Sequence, residues 1–354
     1  MERVVAYAPL MLHLLFIGNF PPARTHLVTA GAEVSGRLRA AGHDVIVVSR
    51  WRARPLRLAD MIAAALRHRR RYAVASIDVY SGLAFIYAEV IALVLKRLGK
   101  PYVLALHGGN LPDFRRRHPR RVLRLLRSAA AVATPSRYLL DAMIDARQDI
   151  ELIPNGVDLA ALRHRERSGP SPRLVWIRSF HAMYNPSLAV EVLALLVAHG
   201  HDAQLVMVGP DRGDGSGAAV RKLADRLGVA SRLLLPGGVP KAALAGYLDE
   251  ADIFLNTTNV DNTPVSVIEA MAAGLCVVST RVGGIPYLLQ DQVDALLVPP
   301  GDAAAMAAAV ERLLADRVLA GNLSRAARAS AERFDWGRVL PLWTALLGRA
   351  GGGS

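Results

Sequence analysis

The chain has 354 residues, which at roughly 150 residues per domain suggests two domains with sizeable buried cores. Hydrophobic residues make up 52% and charged residues 21%, a balance that excludes a disordered chain. The one cysteine, Cys276, lies in an apolar run, which excludes a disulfide framework and a cysteine-rich zinc site and predicts a buried, unreactive thiol. No unbroken run of 18 apolar residues occurs, so no membrane span is predicted.

The positive charge is concentrated in the first half of the chain. The formal net charge is +13, and arginine accounts for nearly all of the cations. Residues 1–172 carry 27 Lys+Arg and 13 Asp+Glu, a net charge of +14, whereas residues 173–354 carry 16 and 17, a net charge of −1. We therefore expect the first half to meet an anionic partner.

Short apolar runs typical of buried strands alternate with helical patterns throughout the first half. The start of the chain resembles a signal peptide, but Pro9 and His13 interrupt its apolar part. Residues 12–18 are therefore predicted to form the first buried strand rather than part of a secretion signal. Further strands are predicted at 43–49, 72–80, 101–107, 131–134 and 150–154, with helices between them, for example at 33–41 and 83–98.

A Ser/Pro-rich segment at 167–172 is the predicted linker, after which the alternation restarts. Strands are predicted at 173–179, 203–209, 231–237, 252–257, 275–280 and 295–300. The sequence therefore predicts an α/β protein of two doubly wound, Rossmann-like domains with parallel sheets, at 1–166 and 173–335. Residues 336–350 are predicted to form a helix that packs back on the first domain, and 351–354 a linker or tag. Ligands of such sheets bind at the carboxyl ends of strands, here in the cleft between the domains.

The most informative segment, residues 261–271, lies between a predicted strand and a predicted helix. Thr263 is predicted to be the N-cap and Pro264 the first helical residue. The free N–H groups and the helix dipole at such an end favour an anion, and Glu269 and Asp261 lie on either side of it. This pattern suits a phosphate flanked by hydroxyl-rich sugars, although an ordinary capped helix with two solvated acids has the same pattern.

The segments at 153–158, 261–269, 269–274 and 283–286 resemble, in order and spacing, the retaining glycosyltransferases of family four. The family signature is two glutamates separated by seven residues in the second domain of a GT-B fold. Here the spacing is kept, but the first position is Asp261. The resemblance covers nearly the whole chain and implies sugar transfer, with retention, from a nucleotide diphosphate donor to an acceptor hydroxyl in cell-surface glycan or glycolipid synthesis.

The resemblance also implies roles for individual residues. Glu269 would hold the ribose, Asp261 would bind hydroxyls of the transferred sugar, and His107 would contact that sugar. Arg178 would grip the diphosphate, whereas Asn185 stands where the family has a lysine. A surface arginine and a loop histidine are the other interpretations of Arg178 and His107. Donor binding is further assigned to Gly108, Thr263, Pro264, Val265, Ser266, Lys241 and Gly237, and the acceptor side to Asn19, Asn110 and Ser136.

No metal or other cofactor is expected, because the sequence has no Asp-x-Asp motif and no His/Asp cluster with metal-ligand spacing. A Gly-x-Gly-x-x-Ala pattern at 213–218 resembles a dinucleotide-binding loop. Residues 210–212 separate it from the preceding strand, and no acid ends the next strand. We interpret it as a surface loop.

Two predicted helices of the first half carry clustered arginines. One places Arg120, Arg121, Arg124 and Arg127 opposite Val122, Leu125, Leu126 and Ala129; the other bears Leu58, Ile62, Ala65 and Leu66 and ends in Arg67, Arg69, Arg70 and Arg71. Such helices fit anionic lipid headgroups, and solvated arginines on covering helices are the other interpretation. No aromatic residues interleave with them, so no nucleic acid partner is expected. We expect a cytoplasmic protein, peripheral at most to the inner face of the membrane, acting on a glycan or lipid-linked acceptor.

Two further functions stay open at the level of sequence. A sugar-nucleotide epimerase would use the same two-domain fold and similar phosphate contacts. A catalytically silent nucleotide- or glycan-binding protein is consistent with the departures from the family at Asp261 and Asn185. A periplasmic binding protein also has two α/β domains, but the start of the chain does not favour one.

Overall fold

The computed structural model describes residues 11–20, 29–51 and 53–352. Pro9, which interrupts the signal-like start, and the last two residues of the predicted tail lie outside these ranges. Within them, the chain forms two α/β domains, each built on a six-stranded parallel sheet. No helix in the described ranges combines the length and the apolar composition needed to cross a bilayer.

The first domain contains six strands in the order β2-β1-β3-β4-β5-β6. The strands are β1 (His13–Ile17), β2 (Asp44–Val48), β3 (Val74–Val79), β4 (Tyr102–Leu106), β5 (Ala131–Thr134) and β6 (Ile150–Leu152). The helices are α1 (Ala30–Ala40), α2 (Arg54–Arg67), α3 (Leu83–Arg97), α4 (Leu111–Arg117), α5 (Pro119–Ser128) and α6 (Arg137–Met143). The strand order reverses between β1 and β3, which creates a crevice at their carboxyl ends.

The second domain has the strand order β12-β11-β10-β7-β8-β9. Its strands are β7 (Arg173–Ile177), β8 (Gln204–Val208), β9 (Leu233–Gly237), β10 (Ile253–Asn256), β11 (Cys276–Thr280) and β12 (Leu296–Val298). Its helices are α7 (Pro186–Ala198), α8 (Ser216–Arg226), α9 (Lys241–Glu250), α10 (Val265–Ala272), α11 (Ile285–Leu288), α12 (Ala303–Ala315) and α13 (Arg317–Ala331), and α14 (Trp336–Ala350) follows. Here the order reverses between β7 and β10.

Both faces of each sheet are buried, which explains why the strands are continuously apolar. In β1, Leu15 and Ile17 belong to the core on one face, whereas Leu14 and Phe16 belong to the core on the other. The twelve predicted strands are all present, each within two residues of its predicted bounds. Helix α1 begins three residues earlier than predicted, because the Thr29 side chain accepts a hydrogen bond from Ala32 N and caps it.

The C-terminal helix α14 packs on the first domain, although it follows the second in sequence. Trp336, Val339 and Trp343 share a buried core with β1 and α1. Gly156 lies against the Trp336 ring, where any side chain would collide with it. The helix therefore joins the two domains, and its Trp336 and Trp343 line the cleft between them.

The predicted linker at 167–172 is corrected by the structure, because Arg167 is completely buried in the second domain. Its Nη2 donates to the carbonyl oxygens of Leu248 and Ala251 at 3.0 Å each, and its Nε lies 3.7 Å from Asp252 Oδ1. Val157 already belongs to a core of the second domain. The chain thus crosses between the domains directly after β6, and the Ser/Pro composition marks only a surface loop further on.

The arginine-rich helices agree with the sequence in part. In α5, Val122, Leu125 and Leu126 are buried and Arg120, Arg124 and Arg127 are exposed. Arg121 is a correction: it makes a bidentate ion pair with Glu89 and stacks over Phe85 and Phe114, so it is not a free surface cation. In α2 the buried face consists of Met61, Ala64 and Ala65, whereas Leu66 is 43% exposed and Arg69, Arg70 and Arg71 follow the end of the helix.

Candidate active site

A cleft between the two domains brings together six of the predicted site residues. The first domain contributes His107 to its lining, and the second contributes Arg178, Lys241, Val265, Ser266 and Glu269. All of these follow the carboxyl ends of strands, and Arg178 stands beside the point where the second sheet reverses its strand order. This is the expected ligand position of a doubly wound sheet.

Helix α10 starts one residue later than predicted. Pro264, with extended backbone at ψ 119°, is the N-cap, and Val265 is the first helical residue. Thr263 is not the cap: it is buried, and its carbonyl oxygen accepts a hydrogen bond from Asn155 Nδ2 at 2.9 Å. Proline has no side-chain oxygen, and no side chain in the described ranges caps this end. The first N–H groups, at Val265 and Ser266, therefore stay available for an anion.

Arg178 and Asp261 form an ion pair at the open end of α10. Both side chains are largely buried, and the Arg178 guanidinium also lies 4.5 Å from the centre of the Tyr184 ring. Gly209 packs against the Arg178 backbone, because any side chain at position 209 would collide with the Arg178 carbonyl oxygen. The carbonyl of Gly237 in turn accepts a hydrogen bond from Gly209 N at 2.9 Å. Gly237, predicted to bind the donor, thus supports the wall of the cleft.

Glu269 is buried in the second turn of α10, in contact with a cation. Lys241 Nζ lies 3.9 Å from Glu269 Oε1 and donates at 2.8 Å to Glu33 Oε1 of helix α1. Burial raises the pKa of Glu269 to about 7, while Lys241 lowers it and Glu33 raises it further. Lys241 therefore bridges two carboxylates from different domains and lies beside the carboxylate expected to hold the ribose, not beside Arg178.

His107 faces a second carboxylate, which the sequence analysis did not identify. His107 Nε2 lies 3.2 Å from Asp78 Oδ1, and both side chains are buried, at 9% and 4% exposure. Asp78 is the fifth residue of β3, and an acidic residue near the end of a predicted buried strand was the available signal in the sequence. The His107 ring is also 5.7 Å from that of Tyr80.

Paired glycines let three loops meet at Asp261. Gly284 N donates to Asp261 O at 3.0 Å, and a side chain at Gly283 or Gly284 would collide with the backbone of residues 261–262. From the first domain, Gly109 comes within van der Waals distance of the same backbone, and Gly108 packs against Tyr80 and Ser81. The glycines therefore allow the His107 loop and the Asp261 loop to approach each other closely.

The three residues assigned to the acceptor side separate in the structure. Asn19 lines a second cavity at the end of β1. Asn110 is exposed at the start of α4 and lines neither this cavity nor the cleft. Ser136 is buried, caps α6 through Leu139 N and donates a hydrogen bond to Asn262 Oδ1 across the domain boundary. Ser136 thus connects the two domains.

Several buried polar atoms at the cleft and at the neighbouring second cavity lack a hydrogen-bond partner among the described residues. They include Asp78 Oδ2, Arg178 Nε, Ser266 Oγ and Trp336 Nε1. Such atoms are uncommon in folded proteins and mark places where a polar ligand or water completes the bonding. Of these four residues, Asp78 and Trp336 were missed from sequence. Over the same ranges, no group of three or more His, Cys, Asp or Glu side chains is placed to hold a metal ion.

Family models match both domains of the chain. A family model described as Glycosyltransferase Family 4 matches residues 28–161, and one described as Glycosyl transferases group 1 matches residues 171–316. The D-inositol 3-phosphate glycosyltransferase of Segniliparus rotundus is 27% identical over 268 residues, covering 69% of this chain and 60% of the relative. The chain thus spans about 60% of the length of that relative.

Solved structures extend the likeness to the whole fold. The sucrose-phosphate synthase of Thermosynechococcus elongatus superimposes with a TM-score of 0.77 at 19% identity, covering 97% of this chain and 100% of the other. The Anabaena protein HepE, solved in complex with UDP, gives a TM-score of 0.75 at 16% identity, covering 96% and 100%. From the two family matches and this fold, the chain belongs to the family four glycosyltransferases and has their GT-B architecture.

Proposed function

We propose that the protein transfers a sugar from a nucleotide diphosphate donor to an acceptor hydroxyl, with retention of configuration. The observation that carries this proposal is the open N-terminus of α10, with Arg178 beside it and the buried Glu269 on the same helix. The diphosphate would lie on the N–H groups of Val265 and Ser266, the ribose toward Glu269 and the sugar toward His107. Family membership and the UDP bound to HepE support this placement.

The cations of the cleft would act on the leaving group. As the bond between the sugar C1 and the phosphate oxygen breaks, the diphosphate gains negative charge, which Arg178 and the dipole of α10 stabilise. Asp261 is ion-paired with Arg178, and Glu269 contacts Lys241, so neither stands free as a nucleophile. We therefore favour attack by the acceptor hydroxyl on the face that the diphosphate leaves, with the released phosphate taking the hydroxyl proton.

A nucleotide panel followed by a transfer assay tests the function. Thermal unfolding of the full chain with UDP, GDP, ADP and TDP and their sugar conjugates should show stabilisation by one base, because a bound ligand stabilises by mass action. The stabilising sugar nucleotide should then lose its sugar to an acceptor. Release of a free, epimerised sugar nucleotide would instead indicate an epimerase, and binding without turnover a silent binding protein.

We also propose that the transfer needs no divalent metal. Arg178 and the N-terminus of α10 provide the positive charge that a metal provides in enzymes with an Asp-x-Asp motif. Activity should survive EDTA unchanged. Complete loss on chelation, restored by magnesium or manganese, would contradict this proposal.

The acceptor we propose is a membrane-linked glycan or lipid, reached from the cytoplasmic face. Exposed Arg120, Arg124 and Arg127 on α5 provide a cationic surface on the first domain. Trp51, Leu56 and Leu83 are 54%, 50% and 61% exposed and lie just before α2 or in the first residues of α2 and α3. A Trp and leucines beside arginines are typical of surfaces that rest in the headgroup region. Because α2 and α3 follow the carboxyl ends of β2 and β3, Trp51, Leu56 and Leu83 would lie at the edge of the domain that carries the cleft.

A further inference from the structure

The loop that leads into α10 is held at two consecutive residues by segments outside the second sheet. Asn262 Oδ1 accepts a hydrogen bond from Ser136 Oγ of the first domain. The carbonyl oxygen of Thr263 accepts one from Asn155 Nδ2 at 2.9 Å, and Asn155 lies in the segment that crosses between the domains after β6. The residues directly before the open N-terminus of α10 are therefore fixed from across the domain boundary.

The bond from Ser136 has a defined direction. The Ser136 hydroxyl accepts a hydrogen bond from Leu139 N at 3.1 Å, where it caps α6, so its single proton is left to be donated to Asn262 Oδ1. Ser136 and Asn262 are 5% and 6% exposed, so water does not replace either partner easily. Removing one partner would leave the other buried without its bond, which is unfavourable. The position of Asn262 is therefore set by the start of α6.

From these two residues the constraint reaches the groups proposed to bind the diphosphate. Asn262 N donates to Asp261 Oδ1 at 2.9 Å, and Asp261 is the ion-pair partner of Arg178. On the other side of the loop, Thr263 and one proline precede Val265, which carries the first N–H group of α10. A shift of the loop would displace the cation and this N–H group together. A misplacement of about 1 Å at a reacting group can lower a rate on the order of 10²-fold.

The polar atoms around α10 separate ligand-binding groups from supporting ones. Arg178 Nε and Ser266 Oγ line the cleft, are buried, and lack a hydrogen-bond partner among the described residues, as expected of groups that face a polar ligand. Ser136 is not among the described residues that line the cleft, and its hydroxyl is fully engaged. Asn155 does line the cleft, but its Nδ2 is directed to Thr263. Ser136 and Asn155 therefore act on the loop.

Resting on the function proposed above, we propose that Ser136 and Asn155 position the diphosphate-binding end of α10 from across the domain boundary. Both are positioning residues, because the diphosphate contacts Arg178 and the N–H groups of α10, whereas the two hydrogen bonds determine where those groups lie. Glu269 is in the second turn of α10 and takes no part in either bond. Loss of the bonds should therefore weaken the hold on the phosphates and spare the hold on the nucleoside.

Paired titrations of nucleoside diphosphates and nucleosides test this assignment. Ligand-observed NMR, which detects weak binding, would compare UDP, GDP, ADP and TDP with uridine, guanosine, adenosine and thymidine on the full chain. The diphosphate that binds the wild type should bind Ser136→Ala, Asn155→Ala and Asn262→Ala at least fivefold more weakly, while the affinity for its nucleoside is unchanged. A general loosening of the cleft would weaken both ligands by the same factor. That result, or unchanged diphosphate affinity in the variants, would overturn the proposal.

Two further variants separate this effect from a loss of folding or of domain contact. Ser136→Ala also removes the cap of α6, whereas Asn262→Ala breaks the same bond from the other side and leaves the cap in place. The double variant should bind the diphosphate no more weakly than the weaker single variant, because the two residues share one bond. The control is Arg37→Gln, which removes a different bond between the domains, from Arg37 Nη2 to Asp158 Oδ2 at 2.7 Å. An equal loss of diphosphate affinity in this control would contradict a specific role for Ser136 and Asn155.

The outcome for transfer is distinguishable from the outcome for positioning. Diphosphate affinity that depends on Ser136 and Asn155, with no sugar transfer by the wild type, would contradict the proposed function and leave the positioning role standing. Sugar transfer by the wild type, with unchanged diphosphate affinity in all three single variants, would do the reverse. Failure of all four diphosphates to bind the wild type would contradict both.

Discussion

Burial of the Glu269 carboxyl in the cleft lowers the stability of the folded protein at neutral and alkaline pH. Burial raises its pKa to about 7, and the nearby Lys241 only partly offsets this. Because the pKa in the folded state lies above the ordinary value of 4.5, the folded protein binds this proton more tightly than the unfolded chain does. The stability contributed by this group is therefore lost as the pH rises from about 4.5 to about 7, and the deficit persists above pH 7.

Replacing this carboxyl should stabilise the fold and remove the function. Glu269→Gln should raise the free energy of unfolding at pH 8 by on the order of 1–3 kcal/mol and change it little at pH 4, measured by urea unfolding. The same variant should bind its nucleotide at least tenfold more weakly. Exposed Glu250→Gln, on α9, is the control. An equal change in stability at both pH values would show that ionisation of Glu269 is not the cause.

Arg178 and Asp261 should differ in which step they affect. Arg178→Ala should reduce nucleotide affinity or kcat/KM at least tenfold, about 1.4 kcal/mol, because the diphosphate loses its cation. Asp261→Ala should reduce transfer more than nucleotide affinity, and Asp261→Glu, which restores the family residue, should be tolerated. Steady-state kinetics with isothermal titration separate the two effects. The control is Arg226→Ala on α8, an exposed position, which should behave as the wild type. Near-normal kcat/KM in Arg178→Ala would contradict the assignment of Arg178 to the diphosphate site.

At the scale of elements, the loops between β10 and α10 and between β11 and α11 act as one unit. Gly284 allows this, because a Cβ there would collide with the backbone oxygen of Asn262. Gly284→Ala should therefore displace Asp261 and lower transfer at least tenfold, with a smaller loss of thermal stability. Gly246→Ala is the matched control: Gly246 lies in α9 with open space around it, so alanine should be neutral or slightly stabilising. Equal activity of the two variants would contradict this coupling.

Periodicity predicts elements well in this chain, because both sheets are buried on both faces and their strands are continuously apolar. It locates the faces of exposed helices less well: in α2 the buried residues are Met61, Ala64 and Ala65, and of the predicted apolar set only Ala65 is among them. The start of α10 differs because Thr263 is held by Asn155, a contact over 108 residues that no local pattern contains. The carboxylates Asp78 and Glu33 were missed for the same reason: their partners are brought close only by the fold.

At the scale of the whole molecule, the two domains meet through both polar and apolar contacts. Lys241 donates a hydrogen bond to Glu33, and Ser136 donates one to Asn262. Helix α14 adds apolar contacts, because it follows the second domain and packs on the first. A donor that engages Glu269 must share it with Lys241, which also holds the first domain. Donor binding and the relative position of the domains are therefore physically linked through this lysine.

The uneven charge of the molecule leads to the last prediction, that the first domain docks on anionic membranes. Three exposed arginines on α5 would each contribute on the order of 1 kcal/mol near a charged bilayer, so Arg120, Arg124 and Arg127 changed together to Gln should weaken binding by about two orders of magnitude. Arg121 stays unchanged because it is paired with Glu89. Vesicle co-sedimentation with neutral and with anionic lipid measures the effect, and binding should weaken as the salt concentration rises, since exposed charges are screened beyond roughly 10 Å at 0.1 M.

The control changes three exposed arginines of the second domain to Gln: Arg221, Arg226 and Arg317. Equal binding to both lipids, or equal loss in both triple variants, would contradict docking by this surface and favour a soluble acceptor.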